Sequence, residues 1–320
     1  MSATLISEHA PCSEFQSMKI IWLDGKFLRS NRATVSVLSH ALHYGTGAFE
    51  GIRAYETENG PGVFRLKEHI DRLFYSVAPF KKKIPYTKKE ITDAITSIVA
   101  RNKFRECYVR PLVYFGEGTM SLSPGESTLH VAIAAWPWGA YLGERDALSI
   151  GISSFIRFHP RSVVPGAKIS GFYAASALVT LEAKQHGFDE CVLLDHKGLI
   201  AEGPGENIFI VKNKILYTPK PGSILPGITR KTVMQIADDM GIRAVEKDLR
   251  INDLLAADEA FFTGTAAEIA PIGKVNNRRI GAGNVPGPLT AALQEKYLAT
   301  VHGNIPRYRR WIYLTKETKK

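Results

Sequence analysis

The chain has 320 residues, 45% hydrophobic and 22% charged, so it can bury a core without disulfides, and its length suits about two domains. Its 41 basic and 31 acidic residues give a net charge of +10, which raises a polyanion as partner. Nine of those ten charges fall in residues 81–90 (+4) and 307–320 (+5), which reads as two solvated patches on a nearly neutral protein and argues against nucleic acid and membrane as partners.

The predicted elements begin with a β-hairpin, Ile20-Ile21-Trp22-Leu23 and Lys26-Phe27-Leu28, turning at Asp24-Gly25. A segment rich in glycine and aromatics follows, residues 40–55. Ile70, Leu73, Phe74 and Val77 recur at helical spacing. A second helix starts at Thr87, where Glu90 completes a capping box, and buries Ile91, Ile95, Ile98 and Val99. Residues 107–115 and 129–136 read as strands. Residues 137–143 break the pattern and mark an interdomain link.

Beyond the link, 148–158 reads as a strand and 172–186 as a helix stopped by Gly187. Short strands run from 190 to 217, a helix covers 228–240 and closes at Gly241, and 259–262 is a strand. Helices and strands mix without regular alternation, which points to two α+β domains. The expected division is a small N-terminal domain over 1–136, an interdomain loop over 137–147 and a larger C-terminal domain over 148–320.

Cys12, Cys107 and Cys191 are an odd number without a CxxC pair, which suits a reducing compartment. No basic residue precedes Lys19, and the most apolar run, 131–142, is too short to span a bilayer, so the expectation is a cytoplasmic protein. There is no P-loop, no G-x-S-x-G and no HExxH. Gly203-Pro204-Gly205 lacks the third glycine and the helix of a dinucleotide fingerprint. His40 and His43 lack a third ligand, and no metal is expected.

Lys168 stands among small residues in Pro165-Gly166-Ala167-Lys168-Ile169-Ser170-Gly171-Phe172-Tyr173. Such a lysine is either a solvated loop residue or an amine desolvated in a pocket and able to form a Schiff base. Its companions bear on that choice. Pyridoxal phosphate needs a phosphate cradle, a carboxylate for the pyridine nitrogen and a lysine for the aldehyde. Leu225-Pro226-Gly227-Ile228-Thr229-Arg230 leads into a helix whose N–H groups can face an anion. Thr263-Gly264-Thr265-Ala266-Ala267 reads as the same design after a strand. Glu202 and Glu206 flank Gly203-Pro204-Gly205, one of them placed to reach a cofactor.

The chain resembles the class IV, fold type IV, pyridoxal-phosphate aminotransferases, and among them the branched-chain amino acid aminotransferases. The resemblance runs from about residue 20 to 299. It rests on five segments in the family's order: 40–55 (His40 to Tyr55), Tyr108-Val109-Arg110-Pro111-Leu112, Glu202-Gly203-Pro204-Gly205-Glu206-Asn207, 225–230 and Gly264-Thr265-Ala266-Ala267-Glu268. It implies a two-domain fold like that of D-amino acid aminotransferase. It also implies ping-pong transfer of the amino group between L-leucine, L-isoleucine or L-valine and 2-oxoglutarate. Lys168 would then be the aldimine lysine and proton carrier, Glu202 the partner of the pyridine nitrogen, and Tyr173 that of the phenolic oxygen. Arg72, Leu225, Gly227, Ile228, Thr229 and Thr265 would hold the cofactor, chiefly at its phosphate.

On the substrate side the resemblance implies a wall of Tyr44, Phe49, Tyr141 and Tyr173. The α-carboxylate would be held by Tyr108 and the Thr265–Ala266 turn, and the distal carboxylate of glutamate by Arg110, with Arg53 shaping that side. Leu122 falls where relatives close the pocket from a partner subunit, so a homodimer or larger homo-oligomer is expected. The basic tail from Arg307 lies outside the resemblance. The alternative reading is another class IV activity: D-amino acid or (R)-amine transamination, or an aminodeoxychorismate lyase.

Overall fold

The computed structural model describes residues 17–139 and 146–315, which fold around two eight-stranded sheets. The first is antiparallel. Its order is Ile312–Leu314, Gly62–Phe64, Ile52–Tyr55, Cys107–Phe115, Leu129–Trp136, Ile20–Leu23 and Lys26–Arg29, with Gly47–Phe49 also paired to Cys107–Phe115. The expected opening hairpin is present. Asp24 and Gly25 turn it at φ 46° and 84°, the left-handed conformation that a two-residue turn requires.

Two helices, Leu66–Val77 and Lys88–Asn102, cover this sheet. Their helical spacing sets Ile70, Leu73, Ile91 and Ile95 in one core with Val109, Val113, Val131 and Ile133. The capping box forms as the sequence predicts: Thr87 Oγ1 accepts from Glu90 N at 3.2 Å, and Glu90 Oε2 accepts from Thr87 N at 2.7 Å. Such a cap contributes about 1 kcal/mol.

The second sheet is mixed, in the order Ala244–Lys247, Ile215–Pro219, Asn207–Lys212, Glu259–Gly264, Glu268–Val275, Leu148–Ile156 and Glu190–Leu194, with Arg278–Arg279 on Glu268–Val275. The helix Tyr173–Gln185, preceded by a 3-10 turn at Ser170–Phe172, packs Val179 and Ala183 against Cys191 and Leu193. Helices Ile228–Asp239 and Pro288–Val301 join Phe209 and Phe261 in another core. One expectation changes here. Residues 263–267 do not lead into a helix; they close a hairpin between Glu259–Gly264 and Glu268–Val275, because Glu268 opens a strand rich in Ile and Val.

The last of these cores crosses between the sheets. Tyr55 and Phe64 of the first sheet pack with Phe209, Phe261, Tyr297 and Tyr308, so neither half closes its apolar face alone. The basic C-terminal segment contributes a strand to the first sheet, Ile312–Leu314 paired with Gly62–Phe64. Among the described residues no helix is long and apolar enough to cross a membrane.

Candidate active site

A cavity of about 750 Å³ opens between the two sheets, and Lys168 points into it. The lysine's backbone is fixed from the first sheet and its covering helix. Lys168 N donates to Ser76 Oγ at 2.8 Å, and Lys168 O accepts from Phe49 N at 3.1 Å. Its Nζ donates to Tyr173 Oη at 2.6 Å and lies 4.7 and 4.4 Å from the ring centroids of Phe49 and Tyr173. Burial, reinforced by the Arg72 charge, lowers its pKa to about 8. Lys168 is therefore the desolvated pocket amine of the two readings.

One end of the cavity is built for an anion. Arg72, carried on Leu66–Val77, donates Nε and Nη2 to the two oxygens of Glu50 at 2.6 and 2.8 Å. Glu50 is fully buried and also meets His69 Nδ1 at 2.7 Å. Burial drives this carboxyl upward, but Arg72 and His69 outweigh it and hold the pKa at about 2. Glu50 thereby fixes the guanidinium plane and leaves Arg72 Nη1 buried without a partner. Ile228 and Thr229 line the same cavity, at the start of Ile228–Asp239, where no side chain caps the helix. A Cβ at Gly227 would lie 2.0 Å from Asn207 Oδ1, so only glycine permits this approach. Leu225, Thr263 and Thr265 complete this rim, and Thr263 Oγ1 is a second buried atom without a partner.

Further along, Glu202 is buried and bound to Arg157 Nε at 2.7 Å, Asn207 Nδ2 at 3.0 Å and Leu225 N at 3.0 Å. Burial raises its pKa despite Arg157. Burial likewise raises the phenol of Tyr173 and keeps it protonated. Glu206 also lines the cavity, where burial and the neighbouring Glu190 push its carboxyl up.

The remaining wall carries Phe49, Tyr108, Arg110 and Ala266. The Arg110 guanidinium lies 4.7 Å from the Phe49 ring centroid and 5.2 Å from that of Tyr108, and Nη2 donates to Tyr108 Oη at 3.3 Å. Its Nε is buried without a partner, and none of the ion pairs among the described residues involves it. Gly51 makes room for the Tyr108 hydroxyl, which would lie 1.8 Å from a Cβ there.

The cavity brings together Lys168, Arg72, Tyr173, Glu202 and the loops at 225–229 and 265–266, with Phe49, Tyr108 and Arg110 opposite. Two expected residues stand outside it. Arg53 instead pairs with Glu268 at 3.1 Å and reaches Trp138 O at 3.2 Å, tying the 265–268 hairpin to the first sheet. Tyr44 is 41% exposed and donates to Met120 O at 2.9 Å. Tyr141 lies outside the described residues. His40 and His43 are engaged in hydrogen bonds, with Thr46 and Ser121 and with Val37.

Glu50, His69 and Arg157 are not flagged by sequence patterning. The cue for Glu50 is an acidic residue inside an otherwise apolar, glycine-rich run; Arg157 has only its charge at the end of a strand.

A sequence model of the family "Amino-transferase class IV" matches residues 47–275. The chain belongs to the class IV aminotransferases. It is 45% identical, over 93% of its length and 97% of the relative's, to the branched-chain-amino-acid aminotransferase of Pseudomonas aeruginosa. Two crystal structures of the T.th. branched-chain amino acid aminotransferase are each 41% identical over 93% of this chain and 99% of theirs. One is complexed with N-(5'-phosphopyridoxyl)-L-glutamate (TM-score 0.90), the other with 4-methylvaleric acid (TM-score 0.89).

The aminotransferase site fits pyridoxal phosphate on its own chemistry. The unpartnered Arg72 Nη1 and the uncapped helix start at Ile228 suit a phosphate, and the buried Glu202 suits a pyridine nitrogen.

Lys168 gives a test independent of any cofactor. In the apoprotein, carbamylation of Lys168 by cyanate should rise with pH to a midpoint near 8, against 10.5 for an ordinary lysine. Peptide mass spectrometry reads it, and a midpoint above 10 would contradict the desolvated amine. The folded protein releases this proton before the unfolded chain does. Burying Lys168 therefore costs stability below pH 8, and the cost disappears as pH rises toward 10.5.

Proposed function

We propose that the protein reversibly transfers the amino group between branched-chain L-amino acids and 2-oxoglutarate, in two half-reactions that use one cavity and pyridoxal phosphate. Bound there, pyridoxal phosphate supplies an electron sink for the pair left on Cα when its proton departs. Arg72, the N–H of Ile228, Thr229 and Thr265 hold the phosphate, with Leu225 and Gly227 shaping the cradle. Glu202, oriented by Arg157 and Asn207, shares a proton with the pyridine nitrogen, and Tyr173 donates toward the phenolic oxygen. The Lys168 amine, neutral in a good fraction of molecules near pH 8, would take the proton from Cα and deliver it to the cofactor's C4′ carbon.

The observation that carries the substrate assignment is Arg110. Its guanidinium lies against Phe49 and Tyr108 with Nε unpaired, in the cavity that holds Lys168. A cation on an aromatic wall receives the distal carboxylate of glutamate and need not be stripped of its surroundings when leucine binds. Tyr108 and the 265–266 turn take the α-carboxylate.

Replacing Arg110 with methionine should lower kcat/KM for L-glutamate by roughly 10–100-fold, the loss of one charge-assisted bond, and that for L-leucine by no more than about threefold. Single-turnover measurement of each half-reaction checks this; equal losses would remove Arg110 from its role.

The active unit is a homodimer or larger homo-oligomer. Val37, Leu38, Leu42, Tyr44, Met120 and Leu122 leave an apolar surface, with Leu122 82% exposed, which supports covering by a second copy. Sedimentation at micromolar concentration checks this, and a stable, active monomer would contradict it. Cys107 and Cys191 are free and buried, as suits the cytoplasm.

A further inference from the structure

The C-terminal segment and Arg65 have no part in the chemistry, yet they meet between the two helices that form the anion-binding end of the cavity. Arg65 precedes Leu66–Val77, the helix of His69 and Arg72, at φ 51°, a left-handed conformation rare for a residue with a side chain. Such a conformation persists only where its surroundings impose it. Here Arg65 N donates to Trp311 O at 2.6 Å, and the guanidinium lies 4.5 Å from the Trp311 ring centroid.

The same guanidinium spans the two halves of the protein. Arg65 Nε reaches Glu68 Oε1 at 2.8 Å, and Nη1 donates to Thr232 Oγ1 at 3.0 Å. Thr232 belongs to Ile228–Asp239, and its hydroxyl donates to Ile228 O at 2.9 Å, in the first turn of that helix. Trp311 is itself held from both sides. Its ring stacks on Tyr308 at 4.4 Å, Tyr308 bonds Asp239 at the far end of the same helix, and Ile312–Leu314 pairs with the first sheet. The tail thus straps the helix bearing Arg72 to the helix starting at Ile228.

We propose that Arg65 and Trp311 are positioning residues for the cofactor phosphate, setting the distance between Arg72 on one helix and the Ile228–Thr229 N–H groups on the other. The inference rests on the pyridoxal phosphate reading above. Loosening the strap widens the cradle and weakens binding of the phosphate, while the part of the site around Lys168 is unchanged, because Ser76 and Phe49 hold the lysine backbone separately.

The test titrates the full-length apoprotein with pyridoxal phosphate and with pyridoxal, which lacks the phosphate, in wild type, Arg65→Ala and Trp311→Ala. The ratio of the two dissociation constants isolates what the phosphate contributes. Either substitution should shrink that ratio by about tenfold while leaving pyridoxal binding unchanged. Arg65→Lys, which keeps the charge but loses the fork, should fall between. Thr232→Ser keeps the hydroxyl and its bond to Ile228 O and should leave the ratio as in wild type. Thr232→Val removes the hydroxyl that Arg65 reaches and should shift the ratio in the same direction, and no further when combined with Arg65→Lys. This pair keeps the test open if the alanine variants fail to fold. An unchanged ratio, or equal weakening of both ligands, overturns the proposal. A wild type that binds neither ligand overturns the cofactor reading instead.

Discussion

Lys168→Ala should slow both half-reactions by about 10²–10⁴-fold from lost proton transfer alone, with the cofactor's visible absorption altered at the same time. The geometry makes this amine hard to replace. Lys168 Nζ is held by Tyr173 Oη at 2.6 Å between two aromatic rings, and among the described residues no other lysine lines the cavity. Burial and Arg72 keep enough of it unprotonated near pH 8 to act as a base. Lys168→Arg places a permanently charged guanidinium in the same position and should not restore the rate. A small primary amine added to Lys168→Ala should restore part of it, because the cavity vacated by the side chain can admit one. Retention of more than a tenth of wild-type activity in Lys168→Ala would exclude the lysine as the proton carrier.

Glu50→Ala should cost about 3–5 kcal/mol of stability, the usual consequence of leaving a buried charge without its partner. Arg72 would then lack the bidentate contact that fixes its plane, and cofactor retention should fall with it. Glu50→Gln keeps an acceptor and should cost less. The pH dependence has a definite sign. Glu50 has its pKa lowered from 4.5 to about 2 in the fold, so its contribution is complete above pH 4.5 and is lost as pH falls toward 2. Burial lowers the pKa of His69, so charging that imidazole also favours unfolding as pH falls below 6.5. Urea unfolding of the apoprotein between pH 3 and 7 measures both; a Glu50→Ala variant as stable as wild type would contradict the buried ion-pair account.

Much of this site is legible in the sequence, because several of its parts are local. Helix spacing, the Thr87–Glu90 cap and the Asp24-Gly25 turn each depend on residues a few positions apart, and all three form. Lys168, Glu202 and the 225–230 loop each sit in a short segment of glycines and small residues that stands out in the sequence. What escapes is long-range. Glu50 and Arg72 are 22 residues apart, and Arg157 meets Glu202 only when the second sheet assembles. Arg53 shows the converse: its motif suggests a substrate cation, but a partner 215 positions away, Glu268, occupies it. The Ile312–Leu314 strand is also invisible locally, since a basic tail reads as solvated until Gly62–Phe64 offers an edge.

The proposed reaction passes an amino group from a branched-chain amino acid to 2-oxoglutarate through one cavity. Its most direct test is the absorption spectrum of the purified protein with pyridoxal phosphate, recorded after L-leucine and again after 2-oxoglutarate. A visible band that L-leucine bleaches and 2-oxoglutarate restores is expected. A band indifferent to L-leucine, or one bleached by it and not recovered with 2-oxoglutarate, would contradict that reaction.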